Sequence, residues 1–412
     1  LALVTAVPTT RLAVTAVSET VESGAALLDA LRRPTGSLCF VQGDTGFVGW
    51  GVHDSITATG PDAHAQIQRW FAGVCDALQI QDAVGARGSG PLAFVSLGFD
   101  DDDVSVAVVP SIVIGSDGVT TFRTIIGDPD VAGPAVPVRS PGRVSYADAA
   151  LSVAGFTSAV SAATARIRAG ELQKVVLAHD LEATTSRSVD ERFLLRRLST
   201  AYPDCWTFAV QGLVGASPEL LIRRSGDRIA SRVLAGTAWR EHTGDAVSAD
   251  LLGSAKDIAE HAYAVRSVAD VLARACAELE VPQAPVPLEL ANLTHLSTDI
   301  VGRLDRRAPT ALDLAARLHP TAAVGGSPTE IARRLIRELE PMKRGRYAAP
   351  VGWMDSRGDG EFAIALRCAQ VDGRSVRLMA GCGIVADSLP DVEAREAQIK
   401  MVPIRDALES RR

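Results

Sequence analysis

The chain has 412 residues, 47% of them hydrophobic and 22% charged, with a formal net charge of −7. That is an ordinary globular composition, long enough to bury a core without disulfide help. An acidic chain with no basic block and no aromatic-interleaved basic stripe argues against a nucleic-acid partner, and no apolar run reaches the length of a membrane span.

The opening "LALVTAVPTTRLAV" carries no basic leader and breaks at Pro8, so no signal peptide is expected. It also lacks an initiating Met, so the chain is expected to begin inside a longer one. Short strand-like runs follow to about residue 135: "SLCFVQGDTGFVGWGV", "GPLAFVSLGF", "VSVAVVPSIVIG" and "VTTFRTIIG". A helix over "DAHAQIQRWFAGVCDAL" interrupts them. The acidic run Asp100 to Asp103 reads as a solvated turn between strands, because its spacing is not that of a calcium loop. Residues 128 to 144, with four prolines and no periodicity, form a connector.

The pattern then changes. "YADAALSVAGFTSAVSAATARIRAG" shows helical spacing and stops at Gly170. "LQKVVLAHDLEA" reads as a strand, "VDERFLLRRLSTAY" as a helix, "CWTFAV" and "ELLIRR" as strands. A long helix is expected over "SAKDIAEHAYAVRSVADVLARACAEL", then helices "TALDLAARL" and "PTEIARRLIREL". The strands "APVGWMD", "EFAIALRCAQV" and "SVRLMAGCG" precede a last helix beginning near "DVEAREAQIK". Strands and helices do not alternate regularly, which favours an α+β fold over a doubly wound parallel sheet. No internal repeat or low-complexity segment is visible. Six scattered cysteines, with no CxxC pair and no histidine at zinc spacing, argue against disulfides and structural zinc and suit a reducing cytosol.

Several local patterns carry chemistry. "GCGIVA" matches the loose dinucleotide fingerprint, yet Ser388 and Pro390 interrupt at once and too little chain remains for the βαβ unit. Close backbone approach to an anion is the better use of Gly381 and Gly383, whose N–H groups could cradle an oxyanion. No GxxxxGK[ST] sequence occurs, so a P-loop is absent. Asp257 and Glu260 lie three apart on the long helix, as do Glu393 and Glu396 on the last. Such pairs share a helix face and could supply magnesium with carboxylate oxygens, although acidic pairs on solvated helices are common. Glu396 and Lys400, four apart, could equally form a plain surface ion pair. Lys174 stands in an otherwise apolar strand, where it either emerges at the strand end or serves as a desolvated base. Glu219 follows a Ser-Pro turn at the mouth of a strand, where a partly apolar setting would keep a carboxyl protonated as an acid. Together they could form a complementary acid–base pair.

The segments "KVVLA", "GASPELLIRR", "LAGT", "SAKDIAEH", "THLSTDIVGRL", "LHPTAAVGGSP", "YAAPVGW", "GDGEFAIALR", "AGCGIV" and "EAREAQIK" occur in this order over roughly residues 145 to 405. Together they resemble the chorismate-utilising enzymes: isochorismate synthases, salicylate synthases, anthranilate synthase large subunits and aminodeoxychorismate synthases. The resemblance implies one large α+β domain over residues 1–412, two packed sheets with helices outside, a variable β-rich part over 1–135 and a chorismate-binding region over 145–408. It implies magnesium held by Glu260 and Glu396, with Asp257 and Glu393 supporting it largely through water. Lys400, Arg367 and the backbone at Gly381 and Gly383 would meet the pyruvyl carboxylate, and Thr237, His295, Ala323 and Tyr347 would line the substrate.

Lys174 matches the position of the water-activating base, where ammonia-using relatives carry glutamine. Ala235 stands where aminodeoxychorismate synthases place a nucleophilic lysine. Water is therefore the implied nucleophile, adding at ring C2 while Glu219 protonates the departing C4 hydroxyl. The implied protein is a cytoplasmic isochorismate synthase, monomeric and without a glutaminase subunit, serving menaquinone or siderophore synthesis. A salicylate synthase and a chorismate-binding protein without turnover remain as alternatives. The chain departs from the family pattern in "VLAGTAWR", which lacks the usual Pro and basic residue, in "AHD", and in the shortened Asp257.

Overall fold

A computed structural model describes residues 14–21, 26–127, 134–239, 251–289, 293–305 and 309–409; the side chains of residues 237–239, 255, 256 and 293 lie outside the description. Among the described residues, one sheet has thirteen strands and the other ten. Every pairing is antiparallel except that of Val14–Thr20 with Leu78–Asp82. Helices stand between strand runs, not between consecutive parallel strands, so the fold is α+β as its irregular order implied.

The two halves of the chain share both sheets. In the larger sheet, Leu38–Gln42 pairs with Trp206–Val210, and in the smaller one Leu92–Ser96 pairs with Pro350–Asp355. The β-rich N-terminal part therefore extends the sheets that the later segments begin. The sheets meet face to face through aromatic residues: the Phe47 and Trp353 rings lie 4.4 Å apart, and Trp206 Nε1 donates to Glu361 of the smaller sheet at 2.8 Å. Phe94, Phe208 and Phe362 are fully buried in the same layer, each contributing about 1.5–3 kcal/mol by leaving water. A second apolar layer lies outside the larger sheet, where Leu194, Leu195 and Leu198 of the helix Glu191–Ala201 join Met401 and Ile404 of the helix Pro390–Glu409.

Three expectations need correction. Residues 144–148 form an edge strand, paired with residues 181–185, and the helix starts only at Val153 behind a Ser152 cap. Likewise the long helix ends at Leu272, and Cys276–Glu280 joins the edge of the smaller sheet. In both places an Ala-rich stretch with helical propensity is claimed by an open sheet edge, and tertiary pairing overrides propensity. The acidic turn at 100–103 is not simply solvated: Asp100 pairs with Arg333 and Arg337 of the helix Thr329–Leu339, and Asp103 is buried. The connector holds over residues 134–143, which form no helix or strand, but its last residue, Val144, opens the edge strand; residues 128–133 lie outside the described residues. All six cysteines are free, and no described helix is long and apolar enough to cross a membrane.

Candidate active site

The strand Lys174–Thr185 runs antiparallel to Ser375–Ile384, with Val176 opposite Gly383 and Ala178 opposite Gly381. Lys174 and Val176 are two apart and share the inner face. Lys174 does not emerge at the strand end: it is completely buried, its Nζ 2.9 Å from Glu260 Oε1. Within that contact Nζ makes no aligned hydrogen bond. Gly383 explains how the two fit. A Cβ there would lie 2.3 Å from Glu260 Oε1 and 2.8 Å from Lys174 Cε. At Gly381 a Cβ would strike the Leu177 carbonyl at 2.2 Å. The glycine spacing thus makes room for side chains and a neighbouring backbone, a role that the oxyanion-cradle expectation did not include.

Glu219 enters from the smaller sheet. The turn Ser217–Pro218 places it at the head of the strand Leu220–Ser225, with its amide donating to Ser217 Oγ at 3.3 Å. Burial pushes its carboxyl up to about 8, against the opposing pull of the Leu234 backbone and of the Lys174 and Lys400 charges. A carboxyl of this kind still holds its proton at neutral pH.

The strand Arg228–Trp239 bulges at Gly236, whose φ is +77°, and its register against Leu293–Leu304 shifts there. The bulge turns the Gly236 carbonyl to His295 Nδ1, 3.2 Å away, while Arg367 donates to His295 Nε2 at 3.0 Å. Arg367 has no lone pair to offer, so Nε2 accepts and the proton sits on Nδ1. Burial, with the Arg367 and Lys400 charges, holds His295 well below the usual histidine range, and the ring is neutral. Thr237 faces His295 in the ladder, and its side chain lies outside the described residues.

On the last helix, Lys400 Nζ pairs with Glu396 at 2.7 Å and donates to the Gly381 carbonyl at 3.1 Å. The plain ion pair therefore exists, but facing inward. Burial raises the Glu396 carboxyl, helped by Glu393 and Glu260 and opposed by Lys400. Glu260 and Glu396 thus sense each other from different helices.

One cavity gathers these groups. Glu219, Glu260, His295, Ala323, Tyr347, Arg367, Gly381, Gly383, Glu396 and Lys400 all line it. Lys174 sits just behind the wall, against Glu260 and Gly383. Asp257 and Glu393 do not line it; Asp257 lies against Gly236, and Glu393 is buried one turn before Glu396. Among the described residues no three His, Cys, Asp or Glu side chains converge as a preformed metal cage. Two carboxylates opening on one cavity nevertheless suit magnesium, which takes one or two protein carboxylates and keeps several waters.

The apolar wall was not foreseen: Val176, Pro218, Leu234, Val324, Leu366 and Met379 complete the cavity. Nothing in their sequence separates them from core residues. His261, next to Glu260, also carries no distinguishing signal in the sequence; it binds Thr298 Oγ1 at 2.7 Å and the Ala235 carbonyl at 3.2 Å, and burial pushes it down to about 4.

A family profile described as "Chorismate binding enzyme" matches residues 136–409. The chain is 41% identical over 260 residues to the isochorismate synthase MenF of Bacillus subtilis, covering 61% of this chain and 55% of that protein. The chain therefore spans little more than half of that relative. It is 39% identical over 352 residues to a putative isochorismate synthase MenF of Mycobacterium tuberculosis, covering 81% of this chain and 90% of that one. Among solved structures, a putative 2,3-dihydroxybenzoate-specific isochorismate synthase, DhbC, from Bacillus anthracis superposes with a TM-score of 0.78 at 29% identity, covering 93% and 98% of the two chains.

Proposed function

The chain belongs to the chorismate-binding enzyme family, and on that premise we propose that it converts chorismate to isochorismate in the cavity between its sheets. The observation that carries this reading is the pairing of a buried lysine, Lys174, with a buried carboxyl, Glu219, that keeps its proton up to about pH 8. Water adds at ring C2 and gives its proton to Lys174, which accepts it as the free amine. The two ring double bonds shift, the C4 hydroxyl leaves, and Glu219 supplies the proton that makes it water. One water enters and one departs, so the product is an isomer. Arg367, Lys400 and the glycine N–H groups balance the charge of a dianionic substrate in an acidic protein. Neutral His295, fixed by Gly236 and Arg367, orients the ring without adding a proton of its own.

Magnesium fits the donor set: Glu260 and Glu396 would hold it, with Asp257 and Glu393 behind them. Bound there, it would supply positive charge to a ring carboxylate.

The direct test incubates the protein with chorismate and magnesium, separates the mixture by chromatography, and couples released pyruvate to lactate dehydrogenase. Isochorismate with little pyruvate or salicylate is expected, because Ala323 offers a methyl group and no hydrogen bond to fix the pyruvyl arm for elimination. Pyruvate released in step with chorismate loss would make the protein a salicylate synthase. Bound chorismate with no product would make it a binding protein.

Gly383→Ala tests the geometry. The added methyl pushes the Glu260 carboxylate and the Lys174 stem apart, and displacement of reacting groups by about 1 Å costs on the order of 10²-fold. The expected result is at least a tenfold lower kcat, read in the same assay, with the circular-dichroism spectrum unchanged. Full activity in that variant would remove Gly383 from the site.

A further inference from the structure

The strand that carries Lys174 has an incomplete neighbour. One side is paired along its length with Ser375–Ile384. On the other side the edge strand Val144–Asp148 covers only residues 181–185, and the two-residue strand Gly326–Ser327 covers only 174 and 175. Between them the groups of Val176 and Ala178 point outward from the ladder, and buried backbone groups of this kind need partners.

Side chains supply two of those partners. Glu340, capping the helix Thr329–Leu339, accepts the Ala178 N–H at 2.8 Å. Arg344 donates to the Val176 carbonyl at 2.8 Å, while the Val176 N–H reaches the Gly325 carbonyl at 2.9 Å. The two side chains are themselves locked together. Arg344 Nε donates to Glu340 Oε2 at 2.9 Å and its terminal nitrogen to Oε1 at 2.6 Å. The other terminal nitrogen donates to the Val324 carbonyl at 2.9 Å, and the guanidinium lies 4.3 Å over the Phe99 ring. Both side chains are 2% exposed, so this fork is rigid and dry.

Two segments of the cavity wall therefore meet on one guanidinium, Val176 on the lysine strand and Val324 beside Ala323. A third, Tyr347, is tied to the Arg344 backbone, its amide donating to the Arg344 carbonyl at 3.1 Å. An ion pair buried this deeply is weak evidence of stabilisation, since desolvation offsets much of the attraction. What it offers is direction, because a bidentate fork fixes angles that an apolar contact would leave free. We propose that Arg344 and Glu340 are positioning residues for the reaction, standing in for a missing strand and holding Lys174 and the Ala323–Val324 wall in register with Glu260 and Gly383. The proposal rests on the reading of Lys174 as the base.

The test compares Arg344→Lys, Arg344→Met and Glu340→Gln with a control at an equally buried pair away from the cavity, Asp190 and Arg192. The clamp variants are expected to lose at least tenfold in kcat with KM changed by less than about threefold, since misplaced reacting groups cost rate before they cost binding. Arg344→Lys should recover part of the loss seen in Arg344→Met. Arg192→Met should lower the melting temperature and leave kcat of the folded enzyme unchanged. Clamp variants that behave like Arg192→Met, losing stability alone, would overturn the proposal. Amide exchange reads the structural half without turnover: Ala178 should lose protection in Glu340→Ala, which removes its acceptor, and unchanged protection there also overturns the proposal. Wild-type product formation in the same assay tests the functional reading separately.

Discussion

Lys174→Ala and Glu219→Gln should each lower kcat by about 10²-fold or more, the scale for a positioned proton-transfer group. The pH profile should identify the acid. On the proposed reading Glu219 acts in its protonated form, and burial raises it to about 8, so rate should fall as pH rises through that region. Glu219→Gln should remove this alkaline limb along with most of the rate. A profile that keeps the limb would assign it to another group.

Stability should fall with rising pH as well. The Glu219 carboxyl titrates near 4.5 in the unfolded chain and near 8 in the folded one. Below about pH 4.5 both states hold the proton, and the group favours neither. As pH rises from there to about 8, the unfolded chain releases its proton first, so the folded state loses ground. Glutamine cannot ionise, so Glu219→Gln should melt higher than wild type at pH 7.5, by an amount that shrinks towards pH 5. Scanning calorimetry at the two pH values checks this; a lower melting temperature at pH 7.5 would show that the carboxyl is ionised in the folded protein. Such an acid would be useful in the reaction because it is costly to the fold.

Glu260→Gln and Glu396→Gln should each abolish turnover while the fold survives, and wild-type activity should vanish in excess chelator and return with added magnesium. The two variants should differ in detail. Glu260 also faces Lys174 at 2.9 Å, so its loss removes the carboxylate packed against the buried lysine as well as a proposed donor to the ion. Glu396 pairs with Lys400, whose ammonium would then face the cavity with only the Gly381 carbonyl. Magnesium titration by calorimetry should therefore show weakened binding in both variants, whereas thermal stability should fall more in Glu260→Gln. Full turnover in chelator would dismiss the metal.

Much of the site could be read from order and spacing. The three-residue spacing of Glu393 and Glu396 and the four-residue step to Lys400 put them on one helix face, because helix periodicity is local. The same holds for Asp257 and Glu260. What spacing could not say is which way such a face turns. The Glu396–Lys400 pair looks the same on paper in solvent or in a cavity, and only packing of the last helix on the strand Ser375–Ile384 turned it inward. Residues 144–148 and 276–280 depart from their local helical pattern for a related reason: a free sheet edge decides their state, and an edge is not a property of the segment that fills it.

The sequence by itself determined the element types over most of the chain, the chemistry of the charged groups, and the lone lysine and Ser-Pro glutamate as candidates for an acid–base pair. These depend on residue identity and on neighbours a few positions away. Only the tertiary structure decided that Lys174 meets Glu260 across 86 positions and that Gly383 is the space in which they meet. It alone joined Val176, Val324 and Glu340 through Arg344. Contacts between distant segments are set by how two sheets close on each other, and apolar wall residues such as Leu234 or Met379 differ from core residues only by the empty space in front of them.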